Sequence, residues 1–137
     1  MATDPIRGTR SRVTVEGGLS VAPHPFGASP VTASAVGTTA DTVATLPGVA
    51  GKTTYIAGFH CSGNATAALA VLVTLVGTIT GTMNFRNGIG ATPAVGRLDV
   101  QFDPPIPASA PNTAIVLTQA AAGAAGVTAV SAWGFQL

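Results

Sequence analysis

Gly96-Arg97-Leu98-Asp99-Val100-Gln101-Phe102 decides the fold class, because its apolar residues recur at every second position. Leu98, Val100 and Phe102 fall on one side of an extended chain, and Arg97, Asp99 and Gln101 fall on the other, the period of a half-buried strand. Working back, Thr82, Asn84 and Arg86 alternate with Met83 and Phe85. That run reaches Asn87-Gly88, a dipeptide that accepts positive φ and predicts a tight hairpin turn there. The apolar stretch Ala67 to Ile79 places large residues at Leu69, Val71, Val73 and Leu75, and its Val and Thr content favours a strand over a buried helix. Thr53 to Cys61, Thr113 to Thr118 and the short Thr42 to Leu46 read as further strands. Working forward, Pro104-Pro105 and Pro107 do not suit a central strand and predict a connection. Ala120 to Gly126, interrupted by Gly123 and Gly126, predicts a loop. The last stretch sets Val127, Ala129, Trp133, Phe135 and Leu137 against Thr128, Val130, Ala132 and Gln136, so the C-terminal strand is expected to be anchored in the core by the chain's only Trp.

Short strands punctuated by turn residues predict an all-β fold, an antiparallel β-sandwich of about six to eight strands with a jelly-roll-like arrangement. The expected core anchors are Tyr55, Phe59, Phe85, Phe102, Trp133 and Phe135, and Cys61 is placed on the face of Tyr55, Ala57 and Phe59. Residues 17 to 52 are broken by repeated Gly and Pro, which excludes long helices. The predicted division is therefore an extended, irregular N-terminal arm with short strands over residues 1–50 and a sandwich domain over 51–137.

The chain has 137 residues, room for one ordinary domain. Charged residues make up only 8% and apolar ones 47%, which argues against charge-driven disorder. A net charge of +1 supplies no field for steering nucleic acid or an anionic membrane. Mean hydropathy is +0.49, yet the longest apolar run is too short for a spanning helix of about 20 residues, and 5% aromatic content cannot furnish the girdles of a membrane barrel. No nucleic-acid or membrane partner is expected. The first residues lack a basic-then-apolar signal pattern, and one cysteine allows no internal disulfide, both consistent with synthesis in a reducing cytoplasm. Asn64-Ala65-Thr66, formally a glycosylation sequon, reads as a turn.

Candidate chemistry is sparse. His60 and Cys61 are adjacent, so in a strand they point to opposite faces and do not share a ligand sphere. Cys61 reads as a buried structural thiol, and His24, between Pro23 and Pro25, as a surface contact. Asp99 and Asp103 lie too far apart along a strand for a local acid/base pair, and Asp99 is expected to pair with Arg97 on the solvent side. Ser, His and Asp are all present, but no strained nucleophile turn accompanies them. Gly17-Gly18 and Gly88-Ile89-Gly90 lack the helix and the Lys of a phosphate loop. The expectation is a non-enzyme with no catalytic residue, no cofactor and no metal. Arg7, Arg10 and Arg12 form the one basic cluster, interleaved with Asp4 and Glu16, and read as a protein-docking arm. A sandwich with a single Lys has little to defend its strand edges or outer faces against association, which predicts a building block of a symmetric assembly.

Ala50-Gly51-Lys52-Thr53-Thr54-Tyr55-Ile56-Ala57-Gly58-Phe59, Phe102-Asp103-Pro104-Pro105-Ile106-Pro107-Ala108, Asn112-Thr113-Ala114-Ile115-Val116 and Ala132-Trp133-Gly134-Phe135-Gln136 together resemble small tailed-bacteriophage virion proteins, the capsid decoration or cement type. The resemblance covers roughly residues 50 to 137 and is one of short phrases. It implies a homodimer or homotrimer, made in the host cytoplasm, seated on the major capsid protein at the outer surface of the virion and stabilising the shell. The alternative expectation is a carbohydrate-binding or host-adhesion module of a head or tail appendage. That reading needs exposed aromatics, whereas Trp133 and Tyr55 are expected to face inward.

Overall fold

The computed structural model describes residues 25–137, together with the backbone of two short paired strands, β1 (Arg12–Val13) and β2 (Leu19–Ser20). Eight further strands follow: β3 (Ser29–Gly37), β4 (Thr42–Leu46), β5 (Thr54–Ala65), β6 (Leu69–Thr78), β7 (Gly81–Ala91), β8 (Gly96–Pro107), β9 (Ile115–Gln119) and β10 (Val127–Gln136). They pair as nested antiparallel hairpins, β6 with β7, β5 with β8, β4 with β9 and β3 with β10. Two seams, β10 against β5 and β9 against β6, roll these hairpins into two four-stranded sheets. The first sheet runs β3-β10-β5-β8 and the second β4-β9-β6-β7, and every connection except the β6–β7 hairpin crosses between them. This is the jelly roll, the eight-stranded double sheet of two Greek keys. A short parallel contact, Asn64 with Gly90 and Ala65 with Ala91, joins the sheets at one corner.

Between the sheets lies one apolar layer. Ile56, Phe59 and Cys61 from β5 and Val130 and Ala132 from β10 meet Leu46, Val73, Leu75, Ile115 and Leu117 from the opposite sheet, all buried. Phe59 is fully buried and receives Phe85 edge-on at a centroid distance of 5.2 Å, with Phe102 at 6.1 Å. A second, smaller cluster of Ala65, Val71, Ile89 and Ala122 closes one end. Between the two, Asn87 Nδ2 donates to Gln119 Oε1 at 2.9 Å, and Gln119 Nε2 donates to the Ser62 carbonyl at 2.9 Å, tying β7 and β9 to β5 across the sandwich.

Four expectations change. Asn87-Gly88 is not a hairpin turn but the middle of β7. Asn87 is 1% exposed and its amide is used across the core, while the real β6–β7 turn is completed by Gly81 at φ 81°. Pro104, Pro105 and Pro107 lie inside β8 rather than in a connection. β8 is the outer strand of its sheet and its pairing with β5 is interrupted between Gln101 and Ile106, so the prolines remove no ladder bond that a central strand would need. The sandwich begins at Ser29 and not at residue 51, because β3 is a full nine-residue edge strand paired along β10, and β4 sends Thr42, Ala44 and Leu46 into the interior. Asn64 and Ala65, read as a turn, close β5 instead.

Candidate functional site

The aromatic residues divide at a bulge. Across the β5–β10 seam, Trp133 is opposite Gly58 but Gly134 is opposite Ile56, leaving Ala57 as the extra residue on β5. One unpaired residue reverses the alternation of a strand. Before the bulge Thr54 and Ile56 face the interior and Tyr55 faces out; after it Phe59 and Cys61 face in and His60 faces out. Tyr55 and Phe59 therefore occupy opposite sides of the sheet. Trp133, next to the core residue Ala132, points outward, as does Phe135, whose ring stacks on Tyr55 at 4.8 Å and 16°. Of the six expected anchors, Phe59, Phe85 and Phe102 join the layer between the sheets; Tyr55, Trp133 and Phe135 do not. They form an aromatic strip on the outer face of the first sheet, half-buried at Tyr55 and Trp133 and 4% exposed at Phe135.

Gly58 is the seat of the indole. A Cβ built at Gly58 would stand 2.6 Å from Cζ2 of Trp133 and 2.9 Å from Cε2, so the ring lies over the bare backbone of β5. A glycine inside a strand often marks a bulge or a close approach, and that was the signal available in the sequence. Register places Thr32, Trp133, Gly58 and Gln101 in one row across the four strands and Ser34, Ser131, His60 and Asp99 in the next.

In that second row His60 Nδ1 and Asp99 Oδ1 are 2.5 Å apart, so Asp99 pairs with His60 rather than with Arg97. Ser131, His60 and Asp99 are the residue types of a nucleophilic relay, yet they stand on an open sheet face, with the Asp99 side chain 67% exposed. Among the described residues no wall or backbone N–H pair is seen to enclose a reacting carbonyl there, as that chemistry requires. Cys61 lies behind them on the interior side. Burial, with a smaller contribution from the charge of Asp99, pushes its thiol up to about 12, so it stays protonated and inert at neutral pH. Among the described residues no group of three or more His, Cys, Asp or Glu converges as a metal site would require.

The outer face of the second sheet is built otherwise. Val43, Thr45, Val116, Thr118, Leu72, Thr74 and Val76 cover β4, β9 and β6, and β7 adds Thr82, Asn84 and Arg86, the one charge. Val43 and Leu72 are 46% and 47% exposed. Arg7, Arg10 and His24 lie outside the described residues, and the side chain of Arg12, in β1, does too.

No family model matches the chain, and no curated protein matches it. Among solved structures, the cryo-EM structure of the extra small virus (XSV) VLP of the giant freshwater prawn Macrobrachium rosenbergii aligns over 97% of this chain and 92% of that one, at 16% identity and a TM-score of 0.36. At that similarity the jelly-roll assignment rests on the strand order and register described above.

Proposed function

We propose that this protein is a non-enzymatic structural component of a virion, a homodimer or homotrimer seated on the major capsid protein at the outer surface of a phage shell, which it stabilises. The observation that carries the reading is the outer face of the second sheet, four strands wide with Arg86 as its one charge. A face of Val, Leu and Thr is suited to burial against another protein surface and poorly suited to lasting exposure. Jelly rolls serve viral capsids and lectins alike, so the fold is compatible with this role without selecting it. Light scattering coupled to size-exclusion chromatography, followed by co-sedimentation with bare capsids, tests the proposal. A discrete dimer or trimer that pellets with shells and raises their thermal stability is expected; a monomer that stays in the supernatant overturns it.

A second reading, a carbohydrate-binding or adhesion module, gains from one specific observation. Trp133 and Tyr55, expected to face inward, lie on the outer face of the first sheet.

A further inference from the structure

We infer that the outer face of the first sheet around Trp133 is a binding platform for a pyranose ring of a neutral glycan. This rests on the second reading and gives it a site. A pyranose has an apolar face of axial C–H groups and a rim of hydroxyls that both donate and accept, so its binding surface needs a flat apolar plate bordered by mixed hydrogen-bonding groups. The plate is the Trp133 indole, half-buried and laid over Gly58, where any side chain on β5 would lift it off the sheet. The indole is half-buried, so part of it stays accessible from the outer side of the sheet. The border comes from β8 and from the neighbouring row. Gln101 is exposed at the end of the Trp133 row, and His60 with Asp99 stands one row along. The His60–Asp99 bond occupies Nδ1 and Oδ1, leaving His60 Nε2 and Asp99 Oδ2 without a partner in the described protein. Cross-strand neighbours are about 4.8 Å apart and same-face neighbours along a strand about 7 Å, so Gln101 and His60 border Gly58, over which the indole lies, on two sides at about the span of one sugar ring.

The charge pattern selects a neutral ligand. Asp99 borders the plate directly, whereas Arg97 sits a further row along β8, opposite Ser62. An anionic sugar would meet the carboxylate before the guanidinium.

Trp133 is the chain's only Trp, so its fluorescence reports this face alone. The full-length protein is titrated with cellohexaose, maltohexaose and hexa-N-acetylchitohexaose, with polygalacturonate as the anionic control, and binding is confirmed calorimetrically. At least one neutral oligosaccharide is expected to shift the emission and protect the indole from acrylamide. Trp133→Ala should abolish the calorimetric signal. Asp99→Asn and Gln101→Ala, exposed changes that leave the core intact, should each weaken binding roughly two- to tenfold, the worth of one hydrogen bond. No response to any of the three neutral sugars, a response to polygalacturonate alone, or binding unaffected by both exposed variants overturns the inference. So does indole protection that grows with protein concentration in the absence of sugar, which assigns the face to a second copy. Failure here, with shells still bound in co-sedimentation, removes the platform and leaves the shell reading standing; loss of both removes both.

Discussion

The two outer faces of this jelly roll share a core but obey different rules. On the second sheet β9 alternates throughout and β6 does so as far as Val76, its register against β7 shifting only between Leu75 and Thr78, and the outward set is what binary patterning predicts: Val43, Leu72, Thr74, Val76, Val116 and Thr118. On the first sheet a single extra residue, Ala57, inverts the alternation of β5, so that Tyr55 and His60 both reach the outer face, where they meet Trp133 and Phe135 of the evenly alternating β10 and Asp99 of β8. A smooth neutral face suits burial by another protein; a bulged, aromatic, hydrogen-bonding face suits a ligand. The inserted residue decides the share that β5 contributes to that face, because past a bulge a strand's alternation is reversed.

If the faces differ only in what they display over one shared interior, removing that interior takes both down together. Phe59→Ala should cost about 3–5 kcal/mol, with the Trp133 signal and the circular dichroism lost in a single urea transition. Separate transitions would show that the sheets are stabilised independently. Gln119→Ala breaks the polar tie between them. It leaves Asn87 Nδ2 buried without its partner, at about 1–3 kcal/mol, and a loss below 1 kcal/mol in urea unfolding would mean that the tie is not made.

Matched glycine substitutions compare the faces directly. Gly58→Ala drives a Cβ into the indole and the Val100 carbonyl and should destabilise by about 1–3 kcal/mol while red-shifting Trp133 emission. Gly88→Ala, on the second sheet, meets nothing within 4 Å and should change stability by less than about 0.5 kcal/mol. Equal effects would deny that the first sheet holds a built seat.

His60 and Cys61 sharpen the contrast between outside and inside. The Cys61 thiol is raised from its ordinary value of 9.0 to about 12, so the folded state holds its proton where the unfolded chain releases it. Its contribution to stability is complete below pH 9 and is lost as pH rises through about 12. Urea midpoints compared at mildly and strongly alkaline pH should fall more for the wild type than for Cys61→Ala. The same burial makes the native thiol unreactive to Ellman's reagent at neutral pH. The smallest stability change is expected for Leu72→Ser, within about 0.5 kcal/mol by urea unfolding. If the second face is an interface, that substitution nonetheless shifts the light-scattering mass toward the monomer; an unchanged mass would place the interface elsewhere.

Much of the fold was legible because alternation is a local property. β4 was read at Thr42–Leu46, as the structure has it, and β6 and β9 to within a few residues; Leu98, Val100 and Phe102 do face the core. The strand β3 was missed because Ser, Ala, Thr and Val in Ser29–Gly37 carry little hydrophobic contrast, and its pairing with β10 spans about the whole sandwich in sequence. Asn87-Gly88 misled for a related reason. Its turn propensity is local, but the hydrogen bond from Asn87 to Gln119 that holds it extended comes from a residue far along the chain. At the candidate site the residues were visible and their direction was not. The alternation of Tyr55, Ala57 and Phe59 is intact in the sequence and broken only by the register against β10.

An all-β chain, most of its strands and the alternating sets of residues along them can be read from the order of residues, since a two-residue period follows from backbone geometry alone. Which member of each pair faces inward in the first sheet, where the bulge falls, and that Trp133 rests on Gly58 beside the His60–Asp99 pair were decided only by the tertiary structure. A strand has no inside until a second sheet packs against it, and a bulge exists only relative to the strand it pairs with.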